Sequence, residues 1–293
     1  MENLLFLDSR DLRDCVERHD PCGASRLARD VAAKGYAVVL TFTTVLESIS
    51  RRVDPDYIVT FMRRLEAIPH VFIPHTGIGL FEFKEAVIAF DERREPNHVL
   101  PRYTSWASYL SAAAPGPALA KDVLQQLDAV PLSEHVASWL RADADIEFGD
   151  HFRQRIAATV AQNREVLGST RAGKAVFAQL VATELELNHL KVSDLTAFTR
   201  WLYSNPAVCP GWRLMQETFQ EFRCDVGARV AKGDLPDLTH LLLVPYMRAA
   251  TLDRKWREYV GRAKQKLAKQ GLTMSYRLFE NLADVRRHWR DPI

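Results

Sequence analysis

Short apolar runs and helical stripes alternate along the first quarter of the chain. Leu4 to Leu7 is a continuous apolar run that ends on Asp8. A strand buried on both faces, as in a parallel sheet, reads this way. Ala24, Leu27, Ala28, Val31 and Ala32 recur at helical spacing, and Gly35 stands where a helix C-cap belongs. Tyr36 to Leu40 is a second, β-branched run. Thr44 opens a helix predicted to reach Arg51, and Asp54-Pro55 caps the next, whose buried stripe is Ile58, Phe61, Met62 and Leu65. Val71 to Ile73 is a third strand, stopped by Pro74. Strands separated by helices predict crossover connections and a parallel sheet.

After residue 75 the pattern changes. From 76 to 230 there are helical stripes, such as Phe177, Leu180, Val181 and Leu185, or Trp212, Met215, Phe219 and Phe222, and no strand pattern. Breakers fall at Pro96, Pro101, Pro115-Gly116-Pro117, Pro131, Gly168, Pro206 and Pro210-Gly211. No fixed-period repeat is present. The α/β pattern then returns. A helix is predicted over Asp237–Val244 and a strand over Arg248–Leu252, ending on Asp253. Trp256, Tyr259, Val260, Ala263 and Leu267 mark an amphipathic helix, and Thr273–Leu278 reads as a last strand. The expected architecture is an α/β core from residues 1–75 and 231–293, interrupted by an all-helical insertion over 76–230.

Composition narrows this little. The 293 residues are 47% apolar and 26% charged, which fits a soluble globular chain and excludes collagen-like, coiled-coil and disordered ones. Cys15, Cys22, Cys209 and Cys224 form no Cys-x-x-Cys pair and are too few for a disulfide scaffold, so reduced thiols in the cytoplasm are expected. The early acid Glu2 and short apolar run do not make a signal peptide, and nothing approaches the about 20 apolar residues of a membrane span. No P-loop, glycine-rich dinucleotide fingerprint or Gly-x-Ser-x-Gly is present, which argues against kinase, dehydrogenase and serine hydrolase readings.

Charge changes the picture more. The net charge is only +2. Yet Arg248 to Arg290 holds twelve basic residues against four acidic ones, a local +8 that leaves −6 elsewhere.

The candidate chemistry is acidic. In parallel α/β sheets, ligands bind beyond the C-terminal ends of the strands. Asp8 and Asp253 stand at such ends. Glu47 falls in the first turn of the helix after the second strand, and Asp237 in the first turn of the helix before the Asp253 strand. Each has a plainer role open to it. Asp8 suits a turn, Thr44-x-x-Glu47 a capping box, Asp237 a helix dipole and Asp253 an N-cap. Together, though, they predict four carboxylates at one sheet edge. Such a set repels itself and its pKa values rise. A hard divalent cation relieves that, and a carboxylate-held metal activates water and neutralises a phosphodiester transition state. Asp234, before Pro236, competes with Asp237 but reads as a cap, and His240 shares the Asp237 helix face. Glu186-x-x-His189 has the spacing of a di-metal bundle pair without the partner motif, so it reads as a solvated face.

Asp8 after its strand, Thr44-Val-Leu-Glu47, and Asp237-Leu-Thr-His240 followed by Thr251-Leu-Asp253-Arg254 resemble the PIN-domain nucleases. The resemblance covers 1–75 and 231–293 and not the middle. It implies a PIN-like α/β/α sandwich. It implies that Asp8, Glu47, Asp237 and Asp253 bind Mg²⁺ or Mn²⁺ and are the catalytic residues for cleavage of single-stranded RNA by metal-activated water. Thr251 matches a hydroxyl position of the family and would orient Asp253. Many members are toxins of toxin–antitoxin pairs, so RNA, an antitoxin-like protein or a second copy of the chain are the implied partners. Asp237 to Asp253 is a tight spacing for the family, and Arg248 stands near where some PIN-like sequences carry an acid. Arg10, Arg13, Arg51, Arg52, Arg254 and Lys255 flank the acids and are expected to hold RNA phosphates, which places the strand on the Arg254 side. Trp256 and Tyr36 are candidates to stack a base, although Trp256 lies on an apolar stripe. Two rival readings are a catalytically weak module that binds RNA or protein, and a DNA nuclease or phosphatase.

Overall fold

A computed structural model describes residues 3–17, 22–49, 55–105, 108–109, 157–158, 160–162, 165, 173–231 and 234–290. Five strands form one all-parallel sheet: β1 (Asn3–Phe6), β2 (Tyr36–Leu40), β3 (His70–Phe72), β4 (Ala249–Thr251) and β5 (Arg277–Phe279). Their order is β3-β2-β1-β4-β5. Alternate side chains of each strand enter two separate cores, as the two-residue period of a strand requires. Leu4, Phe6, Val39 and Ala250 face one core; Leu5, Leu7, Val38, Leu40 and Ala249 face the other. That two-sided burial is why β1 and β2 are apolar without interruption.

One face is covered by α1 (Ser9–Glu17), α2 (Cys22–Ala33), α3 (Phe42–Ile49), α4 (Pro55–Glu66) and α11 (Leu282–Arg290). The other is covered by α5 (His75–Glu92), α6 (Lys174–Leu187), α7 (Leu195–Ser204), α8 (Pro210–Cys224), α9 (Asp234–His240) and α10 (Arg254–Lys269). Phe83 of α5 and Trp212 and Phe222 of α8 lie in one core with Phe6 of the sheet and Trp256 of α10. The described helices of the expected insertion are therefore one outer layer of the sandwich. Chain that reads as an insertion supplies the cover that a parallel sheet needs on its second face.

A buried acid fixes that layer. Glu82 of α5 is fully enclosed and accepts the backbone N–H groups of Gly211 and Trp212, at 2.7 and 2.8 Å, and the Tyr246 hydroxyl. It thereby caps α8 and ties α5 to the segment entering β4. A side chain at 211 would collide with the Leu242 carbonyl oxygen, so glycine is what lets the backbones approach. Burial pushes Glu82 up to about 7, and its three donors pull the other way.

Several boundaries differ from the pattern. The helix expected from Thr44 begins at Phe42, and residues 50–54 lie outside the described residues. The helix expected over Asp237–Val244 is α9, three residues earlier, followed by turns and a 3-10 turn at Val244–Tyr246. The strand expected over Thr273–Leu278 pairs only at Arg277–Phe279. Met274 and Tyr276 are buried, so their alternation reflects packing and not strand pairing. Among the described residues no helix is long and apolar enough to cross a membrane.

Candidate active site

The chain runs from β1 outward to β3, then returns to lay β4 on the other side of β1. The strand order reverses between β1 and β4. A crevice opens at such a point beyond the C-terminal strand ends. Asp8 lies two residues past β1 and Asp253 two past β4. The Asp8 N–H donates to the Thr251 hydroxyl oxygen at 2.8 Å, pinning the two strand ends together. This corrects the role expected for Thr251, which holds the Asp8 backbone and not Asp253. The hydroxyl faces across the sheet because β1 and β4 are neighbours.

Each acid is held by a local reason. Asp8 Oδ1 accepts from the Arg10 N–H at 2.9 Å and from Ser9 Oγ at 3.3 Å, at the start of α1. Asp253 is the N-cap of α10, its Oδ1 accepting the Trp256 N–H at 2.8 Å. Asp237 Oδ2 accepts the Trp256 indole N–H at 3.0 Å. Trp256, almost fully buried, thus orients two of the four acids and does not stack a base. Glu47, half-buried on α3, hydrogen-bonds Ser9. The Thr44-x-x-Glu47 capping box does not form. Thr41 caps α3 instead, its Oγ1 accepting the Thr44 N–H at 3.0 Å, and Thr44 is already inside the helix.

The four acids share one electrostatic field. Asp237 is pushed up to about 8, first by burial, then by the charges of Asp8, Asp253, Glu47 and Asp234. Glu47 is pushed up to about 7 by burial and then Asp8, against the pull of Ser9 and Arg13. Among the described residues, Asp8 Oδ2, Asp237 Oδ1 and Asp253 Oδ2 keep no hydrogen-bond partner, while the other oxygen of each is engaged. An all-oxygen donor set of this kind suits Mg²⁺ or Mn²⁺. As the side chains stand, no group of three or more His, Cys, Asp or Glu among the described residues is tight enough to hold a metal ion.

The supporting residues sort differently from expectation. His240 is buried with its ring 5.1 Å from Phe6 and its Nε2 3.5 Å from the Thr44 hydroxyl, so it packs beneath the crevice. Asp234 lies in the first turn of α9, accepts the Ala231 N–H and pairs with Lys255 at 2.6 Å. Lys255 also reaches the Arg229 carbonyl and sits 4.6 Å over the Phe222 ring. Lys255 was expected to hold RNA; its ammonium is instead committed to the protein. Arg254 is highly exposed beside Glu258, and Arg10 is exposed and reaches the Glu280 carbonyl. Arg13 flanks Glu47. Arg51 and Arg52 lie outside the described residues. Tyr36 packs on Trp289. Part of the basic C-terminal excess is offset from outside it, as Lys255, Lys266 and Arg286 pair with Asp234, Glu221 and Asp30, while Arg257 and Arg287 pair with Glu280 and Asp284 of the same stretch.

Asp11 is a further acid beside the site. It is 7% exposed, accepts the Leu282 N–H, and is raised by burial, with Thr251 lowering it and Asp8 adding to the rise. Its signal in the sequence is the Asp8-x-x-Asp11 spacing, which sets Asp11 in the first turn of α1, three residues after Asp8. Comparison with protein-family models, curated proteins and solved structures gives no match to this chain.

Proposed function

We propose that this chain is a metal-dependent endoribonuclease of PIN-like type, acting on single-stranded RNA. What supports the reading is that Asp8, Asp253 and Glu47 all act on Asp237 electrostatically near the C-terminal ends of β1 and β4, which together with burial raises Asp237 to about 8. Asp8, Asp237 and Asp253, with Glu47, would hold Mg²⁺ or Mn²⁺. When bound, the cation supplies positive charge for the transition state and a more acidic water. The chain's own groups do the positioning. Trp256 fixes Asp237 and Asp253, Thr251 fixes the backbone at Asp8, and each leaves an oxygen directed elsewhere. Arg10, Arg13 and Arg254 flank the acids and offset their repulsion of RNA phosphates.

The test is cleavage of single-stranded RNA with Mn²⁺. Asp8→Asn and Asp253→Asn keep an oxygen for the backbone N–H groups, so both are expected to fold normally and to lose cleavage. Unchanged cleavage in both overturns the site. A panel of DNA and phosphomonoesters separates the nuclease and phosphatase alternatives. The absence of a tight three-ligand group among the described residues favours a second reading, a catalytically weak module that binds RNA or a protein partner. That reading gains if Mn²⁺ gives no rise in Tm and no carboxylate variant alters activity.

A further inference from the structure

Cations gather at the end of the sheet that faces away from the crevice. Arg248 immediately precedes β4, and Arg277 opens the neighbouring β5. The Arg277 N–H donates to the Arg248 carbonyl at 3.2 Å, so the two stand side by side. α11 runs back from the C-terminal end of β5 and brings its last turn to the same place. His288 of that turn lies with Nε2 2.7 Å from Arg277 Nη1 and its ring 5.5 Å from that of Phe279. Arg248, Arg277 and, two residues past His288, Arg290 are all exposed. Among the described residues none of these three makes an ion pair. Burial, then the charges of Arg277 and Arg248, hold the His288 imidazole below its ordinary value, and no described acid pulls the other way.

Plainer reasons account for part of this. Cations suit the last turn of a helix, which covers His288 and Arg290. Charge on an edge strand discourages pairing with another sheet, which covers Arg277. Neither reason reaches Arg248, which leads into an inner strand, and neither brings cations of three elements together without an acid. Distance gives the group a use. Five residues separate Arg248 from Asp253, about 16 Å of extended chain. Salt screens exposed charges beyond about 8 Å, so these cations do little to offset the crevice acids. The acids, equally, do little to weaken the cations. A strand of RNA repelled at the crevice is therefore attracted undiminished here. The arginine fork suits phosphate oxygens in particular.

We propose that Arg248, Arg277, His288 and Arg290 form a second RNA contact, which holds backbone phosphates at the N-terminal end of the sheet while another part of the strand lies in the crevice. That the phosphate belongs to RNA rests on the nuclease reading; the fit of the group to phosphate does not.

The experiment uses the full chain in EDTA, which stops cleavage, and labelled polyuridylate read by fluorescence anisotropy. The double variant Arg248→Gln/Arg277→Gln is expected to bind about tenfold or more weakly, with the slope of log affinity against log salt lowered by about 1.4, the share of two phosphate contacts on a single strand. Both positions are exposed, so Tm is expected to hold. Lys191→Gln/Arg200→Gln removes as much exposed charge from the other layer and is expected to change affinity by less than about twofold. With Mn²⁺, the first double variant is expected to raise KM for polyuridylate and to leave kcat, and cleavage of a uridine dinucleotide, unchanged. The His288 ring resonances are expected to move with polyuridylate and with inorganic phosphate, and in the double variant with neither. Movement with inorganic phosphate alone assigns the group to free phosphate and overturns the RNA contact. Equal affinity for polyglutamate assigns it to an acidic protein and overturns it too. Polyuridylate cut by the wild type and bound as tightly by the double variant overturns the contact and spares the nuclease reading. Polyuridylate bound at the group but never cut upholds the contact and removes the nuclease reading.

Discussion

Glu82 and Asp237 are both acids withdrawn from water, and the protein surrounds them with opposite company. Glu82 faces three donors: the Gly211 and Trp212 N–H groups and the Tyr246 hydroxyl. Asp237 has one donor, the Trp256 indole, and faces four other acids. Burial raises both. At Glu82 every further contact favours the charge; at Asp237 the neighbouring charges add to the rise. A carboxylate supplied with donors serves the fold. One with few of them and crowded by its own kind holds its proton more readily, and such perturbed groups gather at functional sites.

The largest expected effect breaks the comparison at the crevice. Asp237→Asn removes the charge most opposed by its surroundings while keeping an acceptor for Trp256. Manganese-dependent RNA cleavage is expected to fall by more than about 100-fold, since loss even of outer-shell partners costs 10–100-fold. Tm without metal is expected to hold or rise. Full cleavage in a gel assay would mean that Asp237 is not a ligand.

Glu82→Ala breaks the other side. It leaves two buried N–H groups at the head of α8 without acceptors, at about 1–3 kcal/mol each. Urea unfolding should show a loss of about 3 kcal/mol, with Glu82→Gln intermediate. A loss below about 1 kcal/mol would show that water replaces the carboxylate.

The dependence on pH sharpens the contrast. Both acids have folded pKa values above their unfolded ones, so the folded state binds more protons between the two. Their contribution is full below the unfolded value and is lost as pH rises through the folded one. For Glu82 that window runs from 4.5 to about 7, and for Asp237 from 3.8 to about 8. Saturating Mn²⁺ favours the ionised crevice, so it should erase the Asp237 part of the decline and leave the Glu82 part. Melting curves across this range, with and without metal, in Glu82→Gln and Asp237→Asn, measure each share. A metal-insensitive profile would count against cation binding at the crevice.

The smallest effect concerns the basic residues. Lys255→Met strips Asp234 of its ion pair and should lower stability by on the order of 1 kcal/mol. RNA affinity should hardly change. Arg254→Ala should do the reverse, lowering affinity and the salt slope and leaving Tm unmoved. The opposite pairing of outcomes, read by fluorescence anisotropy and melting, would restore Lys255 as an RNA contact.

The strands were legible because a parallel strand covered on both faces is apolar throughout. β1, β2 and β3 announce themselves in Leu4–Leu7, Tyr36–Leu40 and Val71–Ile73. The acids at the ends of β1 and β4 were legible for the same reason, since each follows such a run. β5 was legible only in part: the expected strand over Thr273–Leu278 starts too early, because Met274 and Tyr276 are buried as a strand's residues are but lie outside the paired stretch Arg277–Phe279. The partner of Thr251 was hidden because it lies across the sheet, and that of Lys255 because Asp234 sits 21 positions earlier. Glu82 carried no signal at all. A single acid in an apolar helix reveals nothing of a helix end brought to it from position 211.

The bond between Asp8 and Thr251 spans 243 positions of the chain. A chain is made from its N-terminus, and its early parts fold first. While residues 1–75 are being made, Asp8 and Glu47 are present without their counterparts. β1 lacks its second neighbour until residues 249–251 have left the ribosome. The crevice arranged in this way is complete only once residues 249–253 have joined it, so an N-terminal fragment that stops short of them lacks both Asp253 and the bond that pins Asp8.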